Sequence, residues 1–220
     1  MDNKLLSMIM GVAVGDALGL PAQFYSRKVL DKYPLVEMVA SEEGAAGTYS
    51  DDTAMTLCTL ASFTENNWQL DLQDIMNRLI DWYGHGYMAV NHKTIDVGIA
   101  TRKAIQRAYD GIPLDKCGGA DKWDCGNGSL MRISPVIFYL QRNAQADILK
   151  TVSTISSLTH AHQRCIMCCY IYVVLGLQLL KNPGQDKTEL FKKTMPSLAA
   201  DVKEKFAPDE TGLLARLYDI

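Results

Sequence analysis

Leu72-Gln73-Asp74-Ile75-Met76-Asn77-Arg78-Leu79-Ile80-Asp81-Trp82-Tyr83 sets Leu72, Ile75, Met76, Leu79, Ile80 and Tyr83 at the repeat of one helix face. Apolar residues three and four apart stack on the same side of a helix, so the stretch predicts an amphipathic α-helix with that side inward. Ile148, Leu149, Val152, Ile155 and Leu158 repeat the pattern. Ala54 to Phe63 is apolar nearly all round, which predicts a helix at the centre of the fold. Val97 to Tyr109 predicts another helix, with Ala100, Ala104, Ile105 and Ala108 inward. No stretch alternates apolar and polar residues between turn signals, as strands do. The expected fold is therefore all-α, a compact multi-helix domain of packed helices over residues 1–220.

The 220 residues allow one ordinary domain. A hydrophobic fraction of 48% and a charged fraction of 21% are those of a soluble globular protein. With a net charge of −3 and no basic run, the chain is not expected to bind nucleic acid. Asp16 interrupts the mildly apolar run after Lys4, and no small-residue cleavage site stands out, so no secretory signal is read. Ile166 to Leu180 is the most apolar run. It is shorter than the roughly 20 residues that span a bilayer, which predicts a buried helix and no membrane segment.

Cysteines stand at 58, 117, 125, 165, 168 and 169. Adjacent Cys168 and Cys169 do not suit a secreted disulfide framework, and a reducing cytoplasm is the expected compartment. His160, His162, Cys165 and Cys168 raise a zinc site. The competing reading is that Cys165, Cys168 and Cys169 act as small hydrophobes on an apolar helix.

Ser50-Asp51-Asp52-Thr53 joins a glycine-rich loop, Gly44 to Gly47, to an apolar helix. Adjacent carboxylates flanked by hydroxyls are hard oxygen donors, which suit Mg²⁺ or Mn²⁺. The same tetrapeptide also reads as a helix N-cap followed by acids in the first turn. Asp96, just before the Val97 helix, is either an N-cap or a general acid or base. Gly126-Asn127-Gly128-Ser129 could bring backbone N–H groups close to a phosphate. It is no Walker motif, since no Lys follows the glycines. Arg132 pairs with phosphate or with an internal carboxylate. In Thr159-His160-Ala161-His162 a histidine stands near a helix C-terminus, where the dipole favours it. Gly11, Gly15 and Gly19 recur every four residues in a helical run, a spacing that lets helices approach closely and could bring Asp16 near a site.

Taken in order, these segments resemble the ADP-ribosylglycohydrolase family. Gly11-Val12-Ala13-Val14-Gly15-Asp16-Ala17-Leu18-Gly19-Leu20-Pro21 is similar to its opening motif, and Ser50-Asp51-Asp52-Thr53-Ala54-Met55 to its first metal motif. Asp96-Val97-Gly98 resembles a motif of the dinitrogenase reductase-activating glycohydrolases. Gly126-Asn127-Gly128-Ser129-Leu130-Met131-Arg132 and Thr159-His160-Ala161-His162 are similar to its later motifs.

The resemblance implies an all-α fold around two Mg²⁺ or Mn²⁺ ions, and hydrolysis of the bond joining ADP-ribose to a protein side chain, most simply arginine, or to a small molecule. It implies Ser50, Asp51 and Asp52 as metal ligands and Asp96 and Asp52 as catalytic carboxylates. Asp16, Gly126, Asn127, Gly128, Ser129, Met131 and His160 would bind substrate. Its partners would be an ADP-ribosylated protein or an ADP-ribose-containing small molecule.

Two departures qualify it. Gln23 stands where many relatives carry Glu, which keeps a carbonyl oxygen and loses a charge. The family's Gly-Gly-Asp-x-Asp-Thr motif, which supplies the remaining metal ligands, has no match. The late aspartates Asp186, Asp201, Asp209 and Asp219 sit in no such run. The expectation is a domain incomplete at its C-terminus, inactive alone, with homodimerisation through the uncovered face open to it. The competing expectation is a non-catalytic ADP-ribose-binding or structural protein built on the same fold.

Overall fold

The structure, a computed structural model, describes residues 3–212. Among them the helices are α1 (Asn3–Gly19), α2 (Arg27–Lys32), α3 (Asp51–Glu65), α4 (Leu72–His85), α5 (Ile99–Tyr109), α6 (Pro135–Arg142), α7 (Ile148–Ser157), α8 (Gln163–Lys181), α9 (Lys187–Lys205) and α10 (Pro208–Thr211). The described residues form no strand, only isolated bridges between Ser41 and Gly44 and between Gly119 and His160. The all-α expectation holds.

Local signals set the helix ends. Asp71 caps α4 by accepting from Asp74 N at 2.9 Å, and Gly86 ends it in the left-handed conformation at φ 68. Asp147 caps α7 through Lys150 N, and Asp186 caps α9 through Glu189 N. On α4 the buried residues are Ile75, Met76, Leu79 and Trp82. Tyr83, expected inward, sits at the rim; Trp82 fills the core in its place. Burying one such side chain contributes about 1.5–3 kcal/mol.

The expectation for Ala54 to Phe63 also holds. Helix α3 packs against α1, α4 and α6. Ala54, Met55, Cys58 and Phe63 lose essentially all contact with solvent. Phe63 stacks on Tyr139 of α6, ring centroids 5.0 Å apart. Helix α8 packs against α6, α7 and α9. It is buried along one side only: Cys165, Met167, Cys169 and Val173 face the core, while Tyr172 and Leu179 are exposed. Ile166 to Leu180 is thus an amphipathic helix rather than a wholly buried one.

Two of the late aspartates have local roles. Asp186 is the α9 cap, and Asp201 accepts from Tyr170 Oη at 2.6 Å and pairs with Lys205. Asp219 lies outside the described residues.

Candidate functional site

Helix α3 points its N-terminus at the end of α1. Ser50 holds the N-cap position, yet its side chain caps nothing. Asp16 of α1 does so instead. Its carboxylate accepts from Ser50 N at 3.0 Å, Ser50 Oγ at 2.6 Å, Thr53 N at 2.9 Å and Thr53 Oγ1 at 2.7 Å. A negative group is favoured there by the free N–H groups and the helix dipole. Capping was expected of Ser50 or its neighbours; the cap comes from another helix. Asp16, expected to bind substrate, orients the Ser50–Thr53 turn.

With Asp16 taking the cap, Asp51 and Asp52 carry charge that the helix end does not absorb. Asp51 is buried, and its pKa is pushed up to about 8. Loss of water is the main cause, followed by the carboxylates of Asp52, Asp96 and Asp16; the Ser50 hydroxyl, 3.3 Å away, pulls weakly the other way. Asp52 is also raised, first by burial and then by Asp16. The charges acting most strongly on Asp51 are thus all carboxylates, an electrostatic deficit that a cation would relieve.

Asp96 joins the cluster from the other side. It does not cap α5, which begins at Ile99 with Gly98 at the N-cap, so the N-cap reading of Asp96 is corrected. It is exposed, in the left-handed conformation at φ 50, and accepts from Gln23 Nε2 at 3.1 Å. Gln23 therefore donates a neutral amide N–H to the Asp96 carboxylate where Glu would set two carboxylates side by side. Gln23 also lines an open cavity of about 880 Å³ with Leu20, Phe24, Tyr25, Tyr33 and Glu43. Of this wall the sequence marks Leu20, in the opening motif, and Gln23; Phe24, Tyr25, Tyr33 and Glu43 belong to no motif.

The glycine loop lies behind the cluster, tied to it by Thr56. Thr56 Oγ1 donates to Asp52 O at 2.7 Å and to Met131 O at 3.1 Å. Thr101 of α5 reaches Gly128, where a Cβ would stand 2.7 Å from Thr101 Oγ1 and 2.6 Å from His160 Cε1. Gly128 is thus glycine because the His160 ring and Thr101 crowd its backbone. Gly126 and Asn127 are exposed. Ser129 is not accessible: it is fully buried, with Ser156 Oγ 2.9 Å from its Oγ. Met131 is half-buried against the core.

His160 is buried, its Nδ1 2.8 Å from Thr159 Oγ1. Burial, reinforced by the nearby Arg132 charge, lowers its pKa to about 4. Arg132 meets no carboxylate among the described residues. Fully buried, it donates to Thr159 Oγ1 at 2.7 Å and Ile155 O at 3.2 Å, and among the described residues its Nε and Nη1 have no partner. The zinc set does not assemble. His162 accepts from Arg164 N as the α8 cap, and Cys165 faces the carbonyl of Gly126.

Ser50, Asp51 and Asp52 supply hard oxygen donors, and because Ser50 Oγ gives its proton to Asp16 its lone pairs stay available. The set fits a divalent cation in kind and falls short in number. Among the described residues no group of three or more His, Cys, Asp or Glu side chains is disposed to hold a metal ion.

The family model for ADP-ribosylglycohydrolase matches residues 1–219. The chain belongs to the ADP-ribosylglycohydrolase family. It is 34% identical over 199 residues to the ADP-ribosylarginine hydrolase Tri1 of Pseudomonas putida, covering 89% of this chain and 51% of that protein. It is 26% identical over 172 residues to the ADP-ribosyl-[dinitrogen reductase] glycohydrolase of Rhodospirillum rubrum, 76% of this chain and 54% of the relative. A solved structure titled ADP-ribosylglycohydrolase-related protein complex superposes with a TM-score of 0.58 at 27% identity, covering 79% of this chain and 55% of that one. The chain spans about half the length of the relatives it matches.

Proposed function

We propose that this chain forms one half of a site that hydrolyses the glycosidic bond between ADP-ribose and an arginine side chain, and that it is inactive without the other half. The carboxylate cluster carries the reading: Asp51, Asp52, Asp96 and Asp16 act on one another at the mouth of α3. The 34% identity to an ADP-ribosylarginine hydrolase supports the arginine linkage. Ser50, Asp51 and Asp52 would hold Mg²⁺ or Mn²⁺. A divalent metal, when bound, binds hydroxyls and lowers the pKa of water.

The protein's own residues do the rest. Asp16 fixes the Ser50–Thr53 turn, so that Asp51 and Asp52 leave the helix start in set directions. Asp96, exposed and steadied by Gln23, moves a proton to or from water at its carboxylate oxygen. The exposed backbone of Gly126 and Asn127 borders the pyrophosphate, with His160 behind it as a neutral wall.

A non-catalytic ADP-ribose-binding or structural role is the second reading. It is favoured by the lack of any group of three metal-binding side chains among the described residues. The test is turnover of ADP-ribosylarginine by this chain fused to the unmatched half of the Pseudomonas putida relative. Metal-dependent release of ADP-ribose, lost in Asp52→Ala, supports the half-site. A folded fusion that binds ADP-ribose without cleaving substrate supports the second reading.

A further inference from the structure

All six cysteines are free thiols; Cys58, Cys117, Cys165 and Cys169 are buried, while Cys125 and Cys168 are half-exposed. Cys125 lies between Asp124 and Gly126, where the chain is in no helix. Cys165 stands in the first turn of α8, 5% exposed, against that loop. Its Sγ is 4.0 Å from Asp124 O and 3.6 Å from Gly126 O, the carbonyls on either side of Cys125. Cys125 acts on the Cys165 thiol both as a like charge and as a hydrogen-bond partner. Cys168, one turn further along α8, meets Cys125 through charge alone. A loop thiol that water reaches is thus seated on a buried one, and neither takes part in the proposed hydrolysis.

Two thiols in contact, one of them accessible, are the arrangement that an oxidant closes into a disulfide. We propose that Cys125 and Cys165 are a modification site, at which a peroxide forms a disulfide that clamps the glycine loop to α8. Burial, together with Cys125 and Cys169, pushes Cys165 up to about 12, so it keeps its proton and the first attack falls to Cys125. The Cys125 thiol is oxidised to a sulfenic acid as the peroxide O–O bond breaks, and hydrogen peroxide leaves as one water. The Cys165 sulfur then bonds to the Cys125 sulfur. The sulfenic S–O bond breaks, and its hydroxyl leaves with the Cys165 proton as a second water. The two thiols lose two electrons and two protons, and one hydrogen peroxide takes them up. A reducing thiol reopens the bond by exchange.

A disulfide holds its sulfurs about 2 Å apart, so the two thiols must draw together. The loop can supply that movement: Cys125 Sγ is held by a long contact of 3.9 Å to Asp121 O, and Gly126 beside it turns freely. The bond would enclose Gly126-Asn127-Gly128-Ser129, α6, α7 and His160 in one covalent loop. Closing a loop of that length restricts the unfolded chain and so stabilises the fold.

The experiment treats the purified, reduced 220-residue chain with a small excess of hydrogen peroxide, alkylates the remaining thiols and reads the linkage by peptide mass spectrometry. The expected product is a Cys125–Cys165 cross-link with the loss of two hydrogens, reversed by dithiothreitol. It should form roughly tenfold or more faster in the native chain than in urea, because the fold holds the thiols together. The oxidised chain should melt roughly 5 °C or more higher than the reduced one. Cys168→Ser should keep the cross-link, and Cys125→Ser should slow peroxide uptake by roughly tenfold, since the buried thiols remain shielded. A cross-link to Cys168 in place of Cys165 overturns the proposal, as does Cys125 carried on to sulfinic acid while Cys165 is still alkylated. Equal rates in native and urea-unfolded chain, no uptake by the folded chain, or a lower melting temperature after oxidation also overturn it.

Discussion

Asp16 of α1 caps a helix it does not belong to: its Oδ2 accepts from Thr53 N at 2.9 Å and from Thr53 Oγ1 at 2.7 Å. The contact spans 37 residues of sequence and sets the direction in which α3 starts. Asp16→Ala strands two backbone N–H groups and two hydroxyls, with Ser50 and Thr53 buried. It also removes a carboxylate that raises Asp51, so part of the loss is offset. The lost cap should win, at about 2 kcal/mol, and Asp16→Asn should cost roughly half of that, because one carbonyl acceptor remains. Urea denaturation of the isolated chain measures both. An Asp16→Ala chain as stable as wild type would remove the capping assignment.

Asp96→Asn should leave the fold intact. Asp96 caps no helix, Asn tolerates the left-handed backbone that φ 50 requires, and its carbonyl can still accept from Gln23. The melting temperature should therefore hold, while the fused protein loses roughly a hundredfold or more in turnover of ADP-ribosylarginine. Retained turnover would show that Asp96 moves no proton.

Gly128→Ala should destabilise the chain by about 1–3 kcal/mol, since its Cβ would lie within 2.7 Å of the His160 ring and of Thr101. Gly126→Ala, whose nearest neighbour is His160 Nε2 at 3.3 Å, should cost less. Equal melting temperatures for the two variants would contradict the crowding of Gly128.

His160 adds a pH dependence of defined sign. Its folded pKa of about 4 lies below the ordinary 6.5, so the unfolded chain binds the proton first on acidification. Stability from this group is complete above about pH 6.5 and is lost as the pH falls towards 4, by about 3 kcal/mol at most. Asp51, raised to about 8, works in the opposite direction over an overlapping range. The comparison that isolates the histidine is therefore wild type against His160→Gln, by urea denaturation from pH 7 to pH 4. The stability advantage of wild type should shrink across that window; a constant difference would mean that His160 is not held neutral by burial.

Periodicity was sufficient for the helices, because an apolar stripe such as Ile75, Met76 and Leu79 has one way to be buried. Tyr83 misled because an aromatic at the edge of a stripe fits the pattern with its polar tip at the surface. The candidate site was legible as a set of motifs, but not as a division of labour. That Asp16 caps α3, that Gly128 is small for His160, and that Ser129 is enclosed by Ser156 are contacts between segments far apart in sequence, which no local spacing records. Thr56, which ties the loop to the cluster, and Thr101, which crowds Gly128, look from the sequence like ordinary helix threonines.

The half-site is tested most directly by incubating the purified 220-residue chain with ADP-ribosylated arginine peptide and Mg²⁺ or Mn²⁺, and measuring free ADP-ribose. Asp51 and Asp52 alone cannot offset the charge of two adjacent cations, so the isolated chain should release none above the protein-free control. Metal-dependent release by a chain whose length is confirmed by mass spectrometry would contradict the account, because the site would then be complete within these residues.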